Sequence, residues 1–532
     1  MSRIEQPSQS APDTNRSAFL VATGIFLSRL AGLVRERVFA HYFGNSAAAD
    51  AFKAAFRIPN FLQNLFGEGV LSASFIPLYS GLLARDEEIE ADRLAGAVGT
   101  LLALSTSILV LVGVSFTPYL IDAIAPGFAG EKRGLAIQLV RIFFPGSGLL
   151  VLSAWCLGIL NSHRKFLLSY AAPVIWNVVI IMAMVFYGGR MTQFPLAEVV
   201  AWGAVAGSGL QFLSQLHLVL RLAKHLKISL DWAASSVRIV IGNFVPVFFS
   251  RGVIQISAYV DAFLASLLPT GALAALSYAQ VLYTLPLSLF GMSVSAAELP
   301  AMSRALGNEA EVARQLRQRL NSSLFRVAFF VIPSAMAFLA FGDVVSRSVY
   351  QSGQFTRADG VYVWGILAGS AVGLLASALG RIYASTYYAL RDTRTPLRYA
   401  ILRVLVTTAL GYAFALHLPP ALGLEARWGV AGLTISAGIA GWLEFLLLRR
   451  TLNRRIGETG LKRIVLAKLW LATLAGVLFA LPFRLFLKSA HPVVLGAGVL
   501  GSYGLVYFIS AAALGIEEAR SGLKGVLRCL GR

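Results

Sequence analysis

The sequence predicts an all-α polytopic membrane protein of about 14 transmembrane helices, built as two pseudo-symmetric six-helix lobes plus two C-terminal helices. Three observations carry this. The chain is 57% hydrophobic and only 14% charged, with a mean hydropathy of +0.70, more apolar surface than a soluble protein of 532 residues needs. Apolar runs of spanning length recur from one end to the other, too uniformly apolar for the alternation of a β-barrel. The pattern of the first half then returns in the second.

The spans fall at 17–43, 47–83, 95–122, 136–160, 167–188 and 196–221, then at 238–267, 272–303, 321–343, 360–389, 397–418 and 428–448, and finally at 464–485 and 493–514. The first two form a hairpin from Ser28 to Ser80, SRLAGLVRERVFAHYFGNSAAADAFKAAFRIPNFLQNLFGEGVLSASFIPLYS. It carries Arg29, Arg35, Glu36, Arg37, Asp50, Lys53, Arg57 and Glu68. Charge at bilayer depth is costly and normally faces a bundle interior or a water-filled cavity, so this hairpin is predicted to line a polar cavity. Gly24, Gly32, Pro59, Gly67 and Gly69 would let its helices bend and pack closely.

Spans seven and eight repeat the hairpin. Ser28-Arg29 returns as Ser250-Arg251, Phe66-Gly67 as Phe290-Gly291, and Ser72-Ala73-Ser74 with Pro77 as Ser293-Val294-Ser295 with Pro300. A charged loop follows each copy, ARDEEIEADR and GNEAEVARQLRQR, and APGFAG before span four corresponds to QSGQFT before span ten. Six spans separate the copies, so both halves keep one orientation. Parallel repeats of this kind are a transporter architecture, with the substrate site at the repeat interface near the midplane. The expected divisions are a cytoplasmic tail at 1–16, an N-lobe at 17–228, a C-lobe at 229–452, the last two spans within 453–518 and a cytoplasmic tail at 519–532.

The net charge of +20 points to topology rather than to nucleic acid. With a cytoplasmic N-terminus, roughly 27 lysines and arginines fall on the inside and roughly 8 on the outside, which predicts both termini in the cytoplasm and an even number of spans. The polar start of the chain has no apolar stretch before Ala18, and the run that follows contains Arg29 and Arg35, so no cleavable signal is expected. Cys156 and Cys529 are too far apart in character and position for a disulfide framework or a metal site.

The intramembrane charges are the candidates for function. Arg29 and Arg35 lie about 9 Å apart along a helix and could grip two parts of one anion. Arg251 is the repeat partner of Arg29. Arginine suits a pyrophosphate because its planar fork donates bidentate hydrogen bonds and stays charged. Glu36 and Asp50 are expected as counter-ions that keep the site from holding its anion too tightly, with a local salt bridge as the plainer reading. Glu68 and Glu298 sit near repeat-related prolines, in reach of arginines. Arg141 and Arg381, in the corresponding spans four and ten, are expected to shape the cavity's electrostatics. Asp261 is a lone carboxylate deep in span seven and the candidate for coupling to Na+ or H+; about 15 Å of helix separates it from Arg251, too far for direct pairing. Arg37 and Arg57, near span ends, read as arginines snorkelling to headgroups.

No nucleophile–base set, no Walker motif and no metal-ligand spacing among His41, His163, His217, His225, His417 and His491 emerges, so an enzyme, a direct ATPase and a bound cofactor are not expected.

These residues resemble the MurJ/MviN lipid II flippase family of the MOP exporter superfamily. The resemblance covers nearly the whole chain and is strongest in FLSRLAGLVRERVFAHYFG, AADAFKAAFRIPNFLQNLFGEGVLSASFIPLYS, APGF, QSGQFT and RDTRTP. It implies two six-helix lobes forming a V and a cationic cavity for the pyrophosphate and sugars of lipid II. It also implies a groove on helices thirteen and fourteen for the undecaprenyl tail. Cavity roles carry over to Ser28, Arg29, Arg35, Asp50 and Asn60, with Glu36 where members often have aspartate. The implied partners are lipid II, membrane lipids and a monovalent cation, with no nucleic acid; the implied working unit is a monomer in the bacterial cytoplasmic membrane. Alternatives of the same superfamily are a flippase for another undecaprenyl-linked glycan and a cation-coupled MATE-like exporter. A membrane scaffold has no use for buried arginines.

The chain departs from the family pattern at Gln63, where members often carry arginine, and in span eight, where Ala279-Gln280-Val281 lacks the family's arginine and Thr284 replaces a glutamate. Arg251 is expected to restore one missing charge. Asp261 matches the aspartate of sodium-coupled members, but span eleven offers Thr407 and Thr408 without a carboxylate.

Overall fold

A computed structural model describes residues 11–66, 71, 74–231, 235–303 and 308–521. Helix dominates, and no strand occurs among the described residues beyond an isolated bridge between Ser352 and Phe355. The chain divides into two compact units, one ending at Ala262 and one starting at Phe263.

The first unit comprises α1 (Ala11–Phe43), α2 (Ala47–Phe66), α3 (Ile76–Leu83), α4 (Glu88–Ser115), α5 (Thr117–Ile124), α6 (Gly130–Ser162), α7 (Phe166–Tyr187), α8 (Gln193–Leu222) and most of α9 (Ser235–Ser266). The second comprises α10 (Ala272–Pro286), a π-helical turn (Leu287–Met292), α11 (Ser293–Ser303), α12 (Glu309–Tyr350), α13 (Arg357–Ala389), α14 (Arg394–Tyr412), α15 (Leu418–Ala421), α16 (Gly429–Ile456), α17 (Arg463–Phe486) and α18 (Pro492–Ala513). Eleven segments among the described residues are long and apolar enough to cross a membrane; α1, α2 and α9 stand outside that eleven.

Within expected span two the described residues hold α2 and α3, and positions 67–70 and 72–73 lie outside them. Span eight holds as one crossing segment, Ala272–Ser295, but Pro286 has no N–H for the carbonyl one turn back, and the helix widens into the π turn before continuing as α11. The Ser293 hydroxyl donates to the Ser288 carbonyl at 3.0 Å, within the widened turn.

In the first unit α6 is central and largely buried, with α2, α4 and α8 packed around it. Trp155 of α6 lies over Gly99 of α4 and donates its indole N–H to the Ala95 carbonyl at 3.1 Å. A Cβ on Gly99 would sit 2.9 Å from that ring, so the missing side chain is what lets the indole in. In the second unit α13 packs between α12 and α16. A Cβ on Gly373 would fall 2.4 Å from the Cα of Gly438, so these two helices meet backbone to backbone, as small residues permit in membrane packing.

The ends of α6 and α13 share one device, one repeat length apart. Arg164 and Arg391 both adopt left-handed backbone, each at φ 58°. The next residues close six-residue turns, Lys165 N–H to the Leu160 carbonyl at 2.8 Å and Asp392 N–H to the Tyr387 carbonyl at 2.9 Å. Burial works against the charge of Asp392, but the Thr395 N–H and hydroxyl and the Arg455 guanidinium outweigh it and hold the carboxyl below its ordinary range.

Helices α17 and α18 pair with each other and seat on α12, burying Phe341, Val477, Leu495, Val499 and Tyr503. Their other faces leave Leu478, Leu485, Phe486, Val494 and Leu505 more than half exposed, a surface suited to lipid. The seat has a polar pin. Pro333 inside α12 leaves the Phe329 carbonyl without its helical donor. The Tyr507 hydroxyl of α18 donates to that carbonyl at 2.5 Å, and the Tyr503 hydroxyl donates to the Pro333 carbonyl at 2.7 Å. Tyr507→Phe keeps the ring and strands the Phe329 carbonyl, so we expect a loss of about 1 kcal/mol. The check is a lower midpoint in thermal unfolding of the detergent-solubilised protein, against an unchanged midpoint for a substitution on the exposed face, Leu505→Ala.

Candidate functional site

Helix α2 carries a polar stripe at helical spacing, Asp50, Lys53, Arg57 and Asn60, and turns much of it into the first unit. Glu36 of α1 is the centre of the network. It is 6% exposed, and each carboxylate oxygen has a different cation. Arg35 donates to Oε1 at 2.8 Å, and Lys53 donates to Oε2 at 2.5 Å. The Lys53 ammonium also lies 4.3 Å from the Phe39 ring centroid.

Asp50, almost fully buried, receives a hydrogen bond from Lys132 at the start of α6 at 2.7 Å, and Lys132 in turn lies 4.1 Å over the Phe128 ring. Arg57, one turn below Lys53, feels the charge of Asp261 on α9, and its carbonyl accepts from the Tyr259 hydroxyl at 2.9 Å. Buried ion pairs of this kind cost desolvation and persist when every lone pair finds a donor.

Arg35 keeps part of its side chain exposed, 18%. Its guanidinium sits 5.6 Å from the Phe56 ring and 5.1 Å from the Trp176 ring. Those two rings stack on each other at 5.6 Å and 17°. Beyond them lies a narrow pocket lined by Phe56, Asn60, Phe143, Ser147, Trp176 and Ser208. The arrangement therefore holds a planar cation against an aromatic wall, with an amide one turn away.

The other candidates are spread more widely. On α1, Ser28 is half-buried and Arg29 exposed. Arg141 is exposed on α6. In the second unit Glu298 lies between Arg319 at 3.6 Å and Arg326 at 3.7 Å. Arg381 is exposed on α13, in the electrostatic neighbourhood of Tyr283, Arg403 and Glu444, and Arg403 reaches Glu444 at 3.1 Å. Glu68 and the side chain of Arg251 lie outside the described residues. At the departing positions, Gln63 and Val281 are half-buried, Thr284 is exposed and donates to the Gln280 carbonyl at 2.7 Å, Thr407 is buried, and Thr408 donates to the Val404 carbonyl at 2.8 Å. Among the described residues no group of three or more metal-ligating side chains comes together.

Five residues have no role of their own in the sequence reading: Lys53, Lys132, Trp176, Arg403 and Glu444. The stripe on α2 was the available signal for Lys53. Nothing local marks Trp176, which reaches Arg35 because α7 packs along α1.

A family model described as lipid II flippase MurJ matches residues 39–500. The lipid II flippase MurJ of Burkholderia cenocepacia is 32% identical over 446 residues, covering 82% of this chain and 84% of its own length. A solved structure of lipid II flippase MurJ in an inward closed conformation matches with a TM-score of 0.77 at 26% identity, over 93% of this chain and 98% of that one. An inward-facing multidrug resistance MATE family transporter of the MOP superfamily matches with a TM-score of 0.63 over 82% of this chain and 98% of its own. At 16% identity that last likeness is one of fold alone. With most of its length matched by the family model and by a relative at nearly a third identity, the chain belongs to the lipid II flippase MurJ family.

Proposed function

We propose that this chain is a lipid II flippase, a transporter and not an enzyme. It carries the undecaprenyl-pyrophosphate-linked peptidoglycan precursor from the inner to the outer leaflet of the cytoplasmic membrane by alternating access. Membership of the family over residues 39–500 is the observation that carries this reading. The chemistry of the Arg35 site supports it. A pyrophosphate leaving the headgroup region needs donors that stay charged in a dry environment, and arginine supplies them. Arg35, steadied against Phe56 and Trp176, offers such a donor set, with Ser28, Arg29, Asn60 and Arg251 as further contacts.

In this reading the N-lobe spans 17–228, the C-lobe 229–452, and the segment 453–518 receives the polyprenyl tail; the protein works as a monomer among membrane lipids. Glu36, Asp50, Glu68, Arg141, Glu298 and Arg381 tune the field that the headgroup meets, and their ion pairs differ between states, because a ligand shifts an equilibrium only by its differential affinity. Asp261 is the coupling candidate: a monovalent cation or proton there competes with Arg57 for the carboxylate. Membrane potential is worth about 2.3 kcal/mol per charge per 100 mV, enough to bias the return step.

Two outcomes are expected. Wild-type protein restores growth to a bacterium depleted of its own lipid II flippase, while Arg29→Ala, Arg35→Ala and Arg251→Ala, present in the membrane at equal levels, do not. Failure of the wild type under good membrane expression would sink the reading; rescue by Arg251→Ala alone would remove only that residue. Fusions at either terminus should report cytoplasm, with a C-terminal fluorescent protein bright and a C-terminal alkaline phosphatase inactive.

A further inference from the structure

We propose that Lys53 sets the charge of the Arg35 site: it neutralises Glu36 so that Arg35 keeps a net positive charge for an anionic headgroup. The proposal rests on the reading of Arg35 as a pyrophosphate contact.

Glu36 follows Arg35 in sequence and bonds to it at 2.8 Å. As an isolated pair the two would be electrically neutral, and Arg35 would present a dipole rather than a charge. The second carboxylate oxygen goes to Lys53 at 2.5 Å, so the triad carries one net positive charge. Burial decides where that charge is felt. Lys53 is 9% exposed, with its ammonium enclosed by Glu36 and the face of Phe39. The Arg35 side chain keeps 18% of its surface exposed and spends one N–H on Glu36, leaving most of its five donors for another partner. The excess therefore appears at Arg35.

The neighbouring carboxylates have cations of their own: Asp50 receives Lys132 at 2.7 Å, and the charge of Asp261 acts on Arg57. Arg29 and Arg37, which flank the Arg35–Glu36 pair in the sequence, are positive. Lys53 thus acts through Arg35 as a positioning residue and need not touch the substrate.

A purely structural lysine, tying α2 to α1, would leave the same distances. Charge bookkeeping separates the two. Lipid II binding is measured on the purified full-length protein in detergent for wild type, Lys53→Met, Lys53→Arg, Glu36→Gln and the double variant Lys53→Met/Glu36→Gln. Lys53→Met makes the triad neutral and should weaken binding by about tenfold, the scale of one charged contact. The double variant restores a single positive charge and should return to within about threefold of wild type, as should Lys53→Arg. Wild-type binding by Lys53→Met, or a double variant as weak as Lys53→Met, overturns the proposal.

If Lys53→Met does not survive purification, Glu36→Gln is compared with the double variant. The former carries one more positive charge and should bind about tenfold tighter; equal affinities overturn the proposal. A wild-type chain that binds no lipid II overturns the proposed substrate instead, and the same series is then read with inorganic pyrophosphate as the probe.

Discussion

An ionised side chain inside a membrane protein must be answered by another, and the Glu36 carboxylate is where this chain answers most completely. Both oxygens are occupied, by Arg35 and by Lys53, at 6% exposure. Around that one demand the first unit arranges its charged residues. Lys53 has to rise from α2 to meet α1, Lys132 has to reach from α6 to Asp50, and Arg57 has to share the field of Asp261. Leaving any of these unpaired would strand a buried charge, and the pairs tie α1 to α2 and α2 to α6. It also leaves Arg35 as the partly open cation beside an aromatic wall, which is the property a carrier of anionic headgroups needs.

The same rule governs the backbone. Every proline within a spanning helix deprives a carbonyl of its donor, and in hydrocarbon there is no water to replace it. At Pro286 the chain responds by widening into a π turn; at Pro333 it responds by importing the Tyr507 hydroxyl from α18. These are different solutions to one problem. The first widens an expected span without interrupting it, and the second fastens the last of these helices to the unit.

Much of this was legible before any coordinates. Apolar length marked the eleven described segments able to cross a membrane, while the duplication read from Ser28-Arg29 and Ser250-Arg251 stays an expectation. The conflict between charge and depth picked out Arg35, Glu36 and Asp50. Local reading faltered where partners come from distant segments. Glu36 as a counter-ion was foreseeable, whereas its division between Arg35 and Lys53 depends on how far α2 rotates against α1. Trp176 sits 120 positions from Phe56 in sequence yet stacks on it.

By itself, then, the sequence determined the membrane as solvent, the helical class and the family, because hydropathy and motif spacing are local quantities. Tertiary structure decided which charge is spent and which is offered. Ion pairing depends on distances of a few ångströms between helices far apart in the chain, and the energy of a buried charge changes steeply over that range. Arg35 and Lys53 look alike in the sequence as two cations in one hairpin. Packing buried one against Phe39 and set the other beside Phe56 and Trp176 with part of its surface open.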